Sequence, residues 1–137
     1  MYIPKYFTLK ELLPKDFYEK YSYRGRNLWL LFDERVLRAA DTLREEFGTL
    51  VANTWEHGGE HQYRGWRQGD CLIGAEFSQH KFGRALDLVP VHYPLDTVQN
   101  YIRKHHQALG ITCLEEGVTW IHIDCRNWSK GLLIIGP

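Results

Sequence analysis

An α+β fold, with helices packed on a small, mostly antiparallel sheet, is predicted by three observations. The segment from Asn27 to Gly48 repeats apolar residues at helical spacing. Two short segments, around Arg84–Val89 and Thr119–Cys125, alternate apolar with polar residues as half-buried strands do. The order of elements fits one domain spanning residues 1–137, with no internal repeat and no linker.

The first element is a short helix over Phe7–Pro14. Thr8 followed three residues later by Glu11 is a capping box, and Pro14 is a stop. Residues 15–26 show no clear period and read as loop. Asn27 opens the strongest helix signal, with Leu28, Phe32, Val36, Ala39, Leu43 and Phe47 on one face and Gly48 at the end. Thr49–Trp55 is a strand candidate. The long polar, glycine-containing stretch Glu56–Phe77 reads as irregular, and loops of that length in a small domain often carry function. A second helix runs from about Asp96 to Leu109, with Gly110 ending it. His105 and His106 near its C-terminal end suit the helix dipole. Short strands follow around Thr112–Leu114, Thr119–Cys125 and Leu132–Ile135.

Composition bounds the function. At 44% hydrophobic and 14% aromatic, 137 residues suffice for one real core. Seventeen basic residues balance seventeen acidic ones, which argues against general electrostatic binding of nucleic acid. The N-terminus lacks the pattern of a signal peptide, and no stretch is long enough to insert in a membrane. Synthesis in the cytoplasm and a monomeric state are the expectations. Cys71, Cys113 and Cys125 are odd in number and lack a Cys-x-x-Cys pair, so they read as free thiols.

The chemistry gathers in Ser78-Gln79-His80-Lys81-Phe82-Gly83-Arg84-Ala85-Leu86-Asp87 and in Trp120-Ile121-His122-Ile123-Asp124. His80, Asp87 and His122 read as three ligands of one Zn2+ ion. Two imidazoles and one carboxylate leave a fourth position open, the pattern of a catalytic rather than a structural zinc. His80 and Asp87 cannot meet on a helix, where residues seven apart lie about 10 Å apart along the axis. A turn at Gly83 must bring them together. If the two alternating segments pair, Asp87 and His122 meet on one sheet face, while Leu86, Leu88, Ile121 and Ile123 face a core.

Hydrolysis also needs a general base. Glu116 is the candidate, because Gly117 permits a turn that swings it over the metal; Glu115 is the open alternative, and both can equally be solvated turn residues. Asp124 can orient His122 or pair with Arg126 or Arg84. His57 and His61 read as loop histidines near the cleft.

Ser-x-His-x-x-Gly-x-Ala-x-Asp followed by a strand-borne His-x-Asp resembles the zinc D-Ala-D-Ala peptidases, which include VanY-like carboxypeptidases and phage endolysins and share the Hedgehog/DD-peptidase fold. Tyr63-Arg64-Gly65-Trp66-Arg67 resembles that family's Ser-Gly-aromatic-Arg segment. The resemblance implies that Arg67 and Ser78 contact substrate, with Arg64 as a rival to Arg67. In the Hedgehog-type variant a glutamate stands six before the second zinc histidine, where this chain has Glu116. Thr119 stands where many relatives carry an acidic residue, and Trp120 where several carry a histidine. The implied activity is zinc-dependent hydrolysis of peptidoglycan stem peptides containing D-amino acids, at the bacterial cell wall, by a protein of phage or prophage type. The alternative is a zinc-binding structural or binding module, such as a virion component, that keeps the fold without catalysis.

Overall fold

The chain opens with two short helices rather than one in the computed structural model, which describes residues 1–137. Helix α1 (Leu9–Leu12) starts at the expected cap, where the Thr8 N–H donates to the Glu11 carboxylate at 2.7 Å. The loop expected over 15–26 is instead helix α2 (Lys15–Tyr21), continued by a 3₁₀ segment, Ser22–Leu31. Pro14 accounts for the break: it cannot donate to α1, and its fixed φ suits the position before α2.

Helix α3 (Glu34–Phe47) begins at Glu34, not Asn27. Asp33 decides the start, since its carboxylate accepts the Arg35 N–H at 2.9 Å. Leu28 and Phe32 are nevertheless buried, so the apolar repeat marked burial correctly while overstating the helix. Strand β1 (Leu50–Val51) is shorter than the strand expected over Thr49–Trp55. Beyond it the backbone bonds elsewhere: the Asn53 N–H reaches the Glu11 carbonyl and the Thr54 N–H reaches the His61 carbonyl.

Strand β2 (Ala85–Pro90), helix α4 (Leu95–Leu109), and strands β3 (Cys113–Glu115), β4 (Ile121–Asp124) and β5 (Leu133–Ile135) follow close to the predicted places. The five strands form one mixed sheet in the order β1-β2-β4-β3-β5, antiparallel except for the β3–β5 pair. The molecule is α+β, with four α-helices.

The β2–β4 register decides what each face carries. Leu86 lies opposite Ile123 and Leu88 opposite Ile121, and these four fully buried side chains join the core beneath α3 and α4. Asp87 lies opposite His122 and Ala85 opposite Asp124 on the other face. Alternation with period two therefore separates core from site in the same strands. No helix is long and apolar enough to cross a membrane. All three cysteines are free; burial pushes the Cys113 and Cys125 thiols up to about 12, which leaves them protonated and inert.

Candidate metal centre

His80 sits on a 3₁₀ turn, Gln79–Phe82, that leads directly into β2. The Ser78 hydroxyl caps this turn by accepting the His80 N–H at 3.3 Å. Gly83 closes it in the left-handed region, with φ of 68°. A Cβ at Gly83 would lie 1.9 Å from the Leu31 carbonyl oxygen, so only glycine fits there. The turn predicted between His80 and Asp87 is thus present, and it rests on the 3₁₀ segment before α3.

His80, Asp87 and His122 converge. All three are buried, and each offers a ligand atom within 4.8 Å of the others; no second group of His, Cys, Asp and Glu converges in this way. The ring nitrogens are already sorted. His80 Nδ1 donates to the Gly65 carbonyl at 2.7 Å, which turns Nε2 toward Asp87 Oδ2 at 3.2 Å. His122 Nε2 faces Asp124 Oδ2 at 2.8 Å, which leaves Nδ1 against Asp87 Oδ1, also at 2.8 Å. One nitrogen of each ring is held by the protein, and the other faces the shared carboxylate. That is the arrangement in which outer partners fix the orientation of metal-binding imidazoles. The group could hold a metal ion, with His80 Nε2, an Asp87 oxygen and His122 Nδ1 as ligand atoms.

The electrostatics agree. Burial pushes the Asp87 carboxyl up, but hydrogen bonds from His122 and His80 more than offset it, holding the group well below the usual carboxylate range. Burial likewise opposes charge on His122, yet its bonds to Asp124 and Asp87 raise it to about 9. Asp124 is fully buried. Burial again works against its charge, and hydrogen bonds from Arg126 and His122 bring it down to about 2. Both roles expected for Asp124 therefore hold at once, toward His122 and toward Arg126, while Arg84 takes no part.

The predicted base is displaced. Glu116 does not border the metal group; its carboxylate pairs with the Arg103 guanidinium on α4. The reason is strand alternation. β3 extends through Glu115, which lies opposite His122 and places Glu115 Oε2 3.9 Å from His122 Nδ1. Its neighbour in sequence must then point away. Glu115 borders the cleft and Glu116 does not.

Arg67 reaches the site, although its contacts are internal. Its Nε donates to the Tyr63 carbonyl at 2.7 Å, Nη1 to the Ile73 carbonyl at 3.3 Å, and Nη2 to Asp87 at 3.5 Å. The rival Arg64 lies farther out and donates to the Ala52 carbonyl. Ser78 borders the cleft as well as capping the His80 turn. His57 is exposed, and His61 borders a neighbouring cavity; neither joins the metal group. His105 stacks on Tyr101.

Two features escaped the sequence reading. The Gly65 carbonyl orients His80, and the Arg64 carbonyl accepts the Asp87 N–H at 2.8 Å, so the Gly-Trp-Arg segment braces both ligand candidates through its backbone. Arg126 continues the period-two run of His122 and Asp124 and also borders the cleft; that continuation was the available signal.

The metal group lies in a cleft of about 430 Å³ that adjoins a second cavity of about 260 Å³, with Arg67, Asp87 and Trp120 shared between them. Comparison with protein-family models, curated proteins and solved structures finds no match.

Proposed function

We propose that the protein is a zinc-dependent peptidase acting on peptidoglycan stem peptides that contain D-amino acids, with the Hedgehog/DD-peptidase fold and a phage or prophage origin. One observation carries the reading: two imidazole nitrogens and a carboxylate converge in an open cleft with the Glu115 carboxylate beside them. Two nitrogens and one oxygen suit zinc, and three protein ligands leave room for reacting groups. The motif resemblance supplies the substrate class.

Bound there, zinc would act as a Lewis acid on the scissile carbonyl and lower the pKa of water to about 7. The chain's own residues supply the remainder. Glu115 is the acceptor for the proton of the attacking water and returns it to the leaving amine, one proton taken and one given per bond cut. Asp124 keeps His122 turned so that Nδ1 faces the site. Gly65 does the same for His80 Nε2. Arg67 fixes the Asp87 carboxylate and the loop at Ile73. Trp120 forms the wall between the two cavities, where a peptide crossing the site would pass.

The second reading, a zinc-bearing module without catalysis, is favoured by Thr119 at the place of the usual acid and by the engagement of Glu116 with Arg103. Incubation of purified peptidoglycan with zinc-loaded protein separates the two. The peptidase releases new amino termini, and Glu115→Gln does not. A module releases none in either form while retaining its metal.

A further inference from the structure

Away from the metal cleft, and sharing no residue with it, a groove of about 630 Å³ is lined by α2 and the 3₁₀ segment. Phe17, Tyr21, Leu28, Leu30 and Leu31 form its apolar surface, and Arg24 borders it. Leu30 is 68% exposed and Tyr23, next to Arg24, is 75% exposed. The turn that carries His80 docks on the end of this segment, since the Gly83 carbonyl accepts the Asp33 N–H at 2.9 Å. Phe82, on that turn, is 51% exposed. Large apolar side chains left uncovered together mark a surface that meets something apolar.

Charge says what that is. Within residues 15–31, Lys15, Lys20, Arg24 and Arg26 stand against Asp16 and Glu19, and Arg84 beside Phe82 is a fifth cation. The neighbouring acids do not cancel them: Asp33 and Glu34 are held by Arg35 and Arg38. Lys81 faces another cavity together with Asp70 and Glu76 and is left out of the count. The face therefore carries a surplus of three positive charges on a chain of net charge zero. None of these five cations is ion-paired, whereas Arg35, Arg38, Arg103 and Arg126 all are. Three of them lie over aromatic rings: Lys20 over Tyr21 at 5.4 Å, Arg24 over Tyr23 at 5.5 Å and Arg84 over Phe82 at 5.1 Å. Their apolar stems follow the rings and their charged ends stay in water.

Unpaired cations around uncovered aromatic and leucine side chains match the boundary layer of a bilayer, where phosphates lie just outside acyl chains. A second copy of the chain would bring two positive faces together. A soluble polyanion would satisfy the cations and leave Leu30 and the groove uncovered.

We infer that this face docks on an anionic phospholipid surface, with Leu30 entering the acyl boundary and Arg24 and Arg26 meeting lipid phosphates. The docking is peripheral, and it stands or falls separately from the peptidase reading.

The full chain is sedimented with vesicles of phosphatidylcholine alone and with vesicles containing about one-third phosphatidylglycerol. Binding to the anionic vesicles should be at least about tenfold tighter. Each cation at the surface contributes about fivefold, so Arg24→Gln with Arg26→Gln should weaken binding about 25-fold. Leu30→Ser should weaken it about fivefold or more. Lys104→Gln with Lys130→Gln removes the same charge elsewhere and should change binding by less than about twofold. All five substituted side chains are exposed and unpaired, so the fold is retained in every variant. Four results overturn the inference: equal binding to both vesicles, which includes binding to neither; an equal loss in the Lys104/Lys130 variant; no effect of Leu30→Ser with soluble polyphosphate binding as tightly, which makes the face a polyanion site; or vesicle-free self-association that Leu30→Ser abolishes, which assigns the face to a second copy.

Discussion

Replacing Glu115 and Glu116 one at a time by glutamine tests the assignment of the base where adjacent residues have opposite fates. Glutamine keeps the size of each side chain and removes its ability to accept and carry a proton. Glu115 stands beside His122 in the cleft, and its side chain is 17% exposed. A lost general base costs a factor of about 10²–10⁴ in kcat, or roughly 2.7–5.4 kcal/mol in the barrier. Glu116 is 41% exposed and paired with Arg103, so its substitution costs at most about 1 kcal/mol of stability and changes kcat by less than about twofold. The assay is release of amino termini from peptidoglycan, with zinc content measured on the same samples. Both variants should hold one zinc per chain. A large loss of kcat in Glu116→Gln with near-normal activity in Glu115→Gln would refute the strand-alternation argument.

Other perturbations act on different parts of the same construction. Asp124→Asn removes the charged partner of His122 Nε2 and should lower zinc affinity by about 10–100-fold, read by chelator competition. Gly83→Ala forces a Cβ against the Leu31 carbonyl in a left-handed conformation; a loss of roughly 2–4 kcal/mol in urea unfolding, with weakened zinc binding, is the expected result. In the metal-free protein His122 is raised from 6.5 to about 9. Its contribution to stability is complete below the unfolded value and is lost as pH rises through the folded one, so the urea midpoint should fall between pH 6.5 and 9. Zinc must displace the His122 proton, so binding at pH 7 should release protons to buffer and tighten as pH rises toward 9, both measurable by calorimetry in two buffers.

Much of the sheet could be read before the structure, because burial has a period. Leu86, Leu88, Ile121 and Ile123 announced one face, and Asp87 and His122 announced the other; the observed register sets them opposite each other as alternation requires. The extent of β3 was harder to read. Glu115 and Glu116 are chemically identical, and only the last residue of the strand decides which one faces the cleft. At the N-terminal side Leu28 and Phe32 repeat at helical spacing, yet the Asp33 cap, a local hydrogen bond, sets the real start of α3. The bracing of His80 by the Gly65 carbonyl lies beyond side-chain patterns altogether, since a backbone oxygen carries no residue signature.

A crystal structure grown with zinc, with anomalous scattering collected at the zinc edge, addresses the metal site itself. One peak per chain is predicted, with His80 Nε2, an Asp87 carboxylate oxygen and His122 Nδ1 each about 2.0–2.2 Å away. No peak there, or zinc held instead by His57 and His61, would contradict the account.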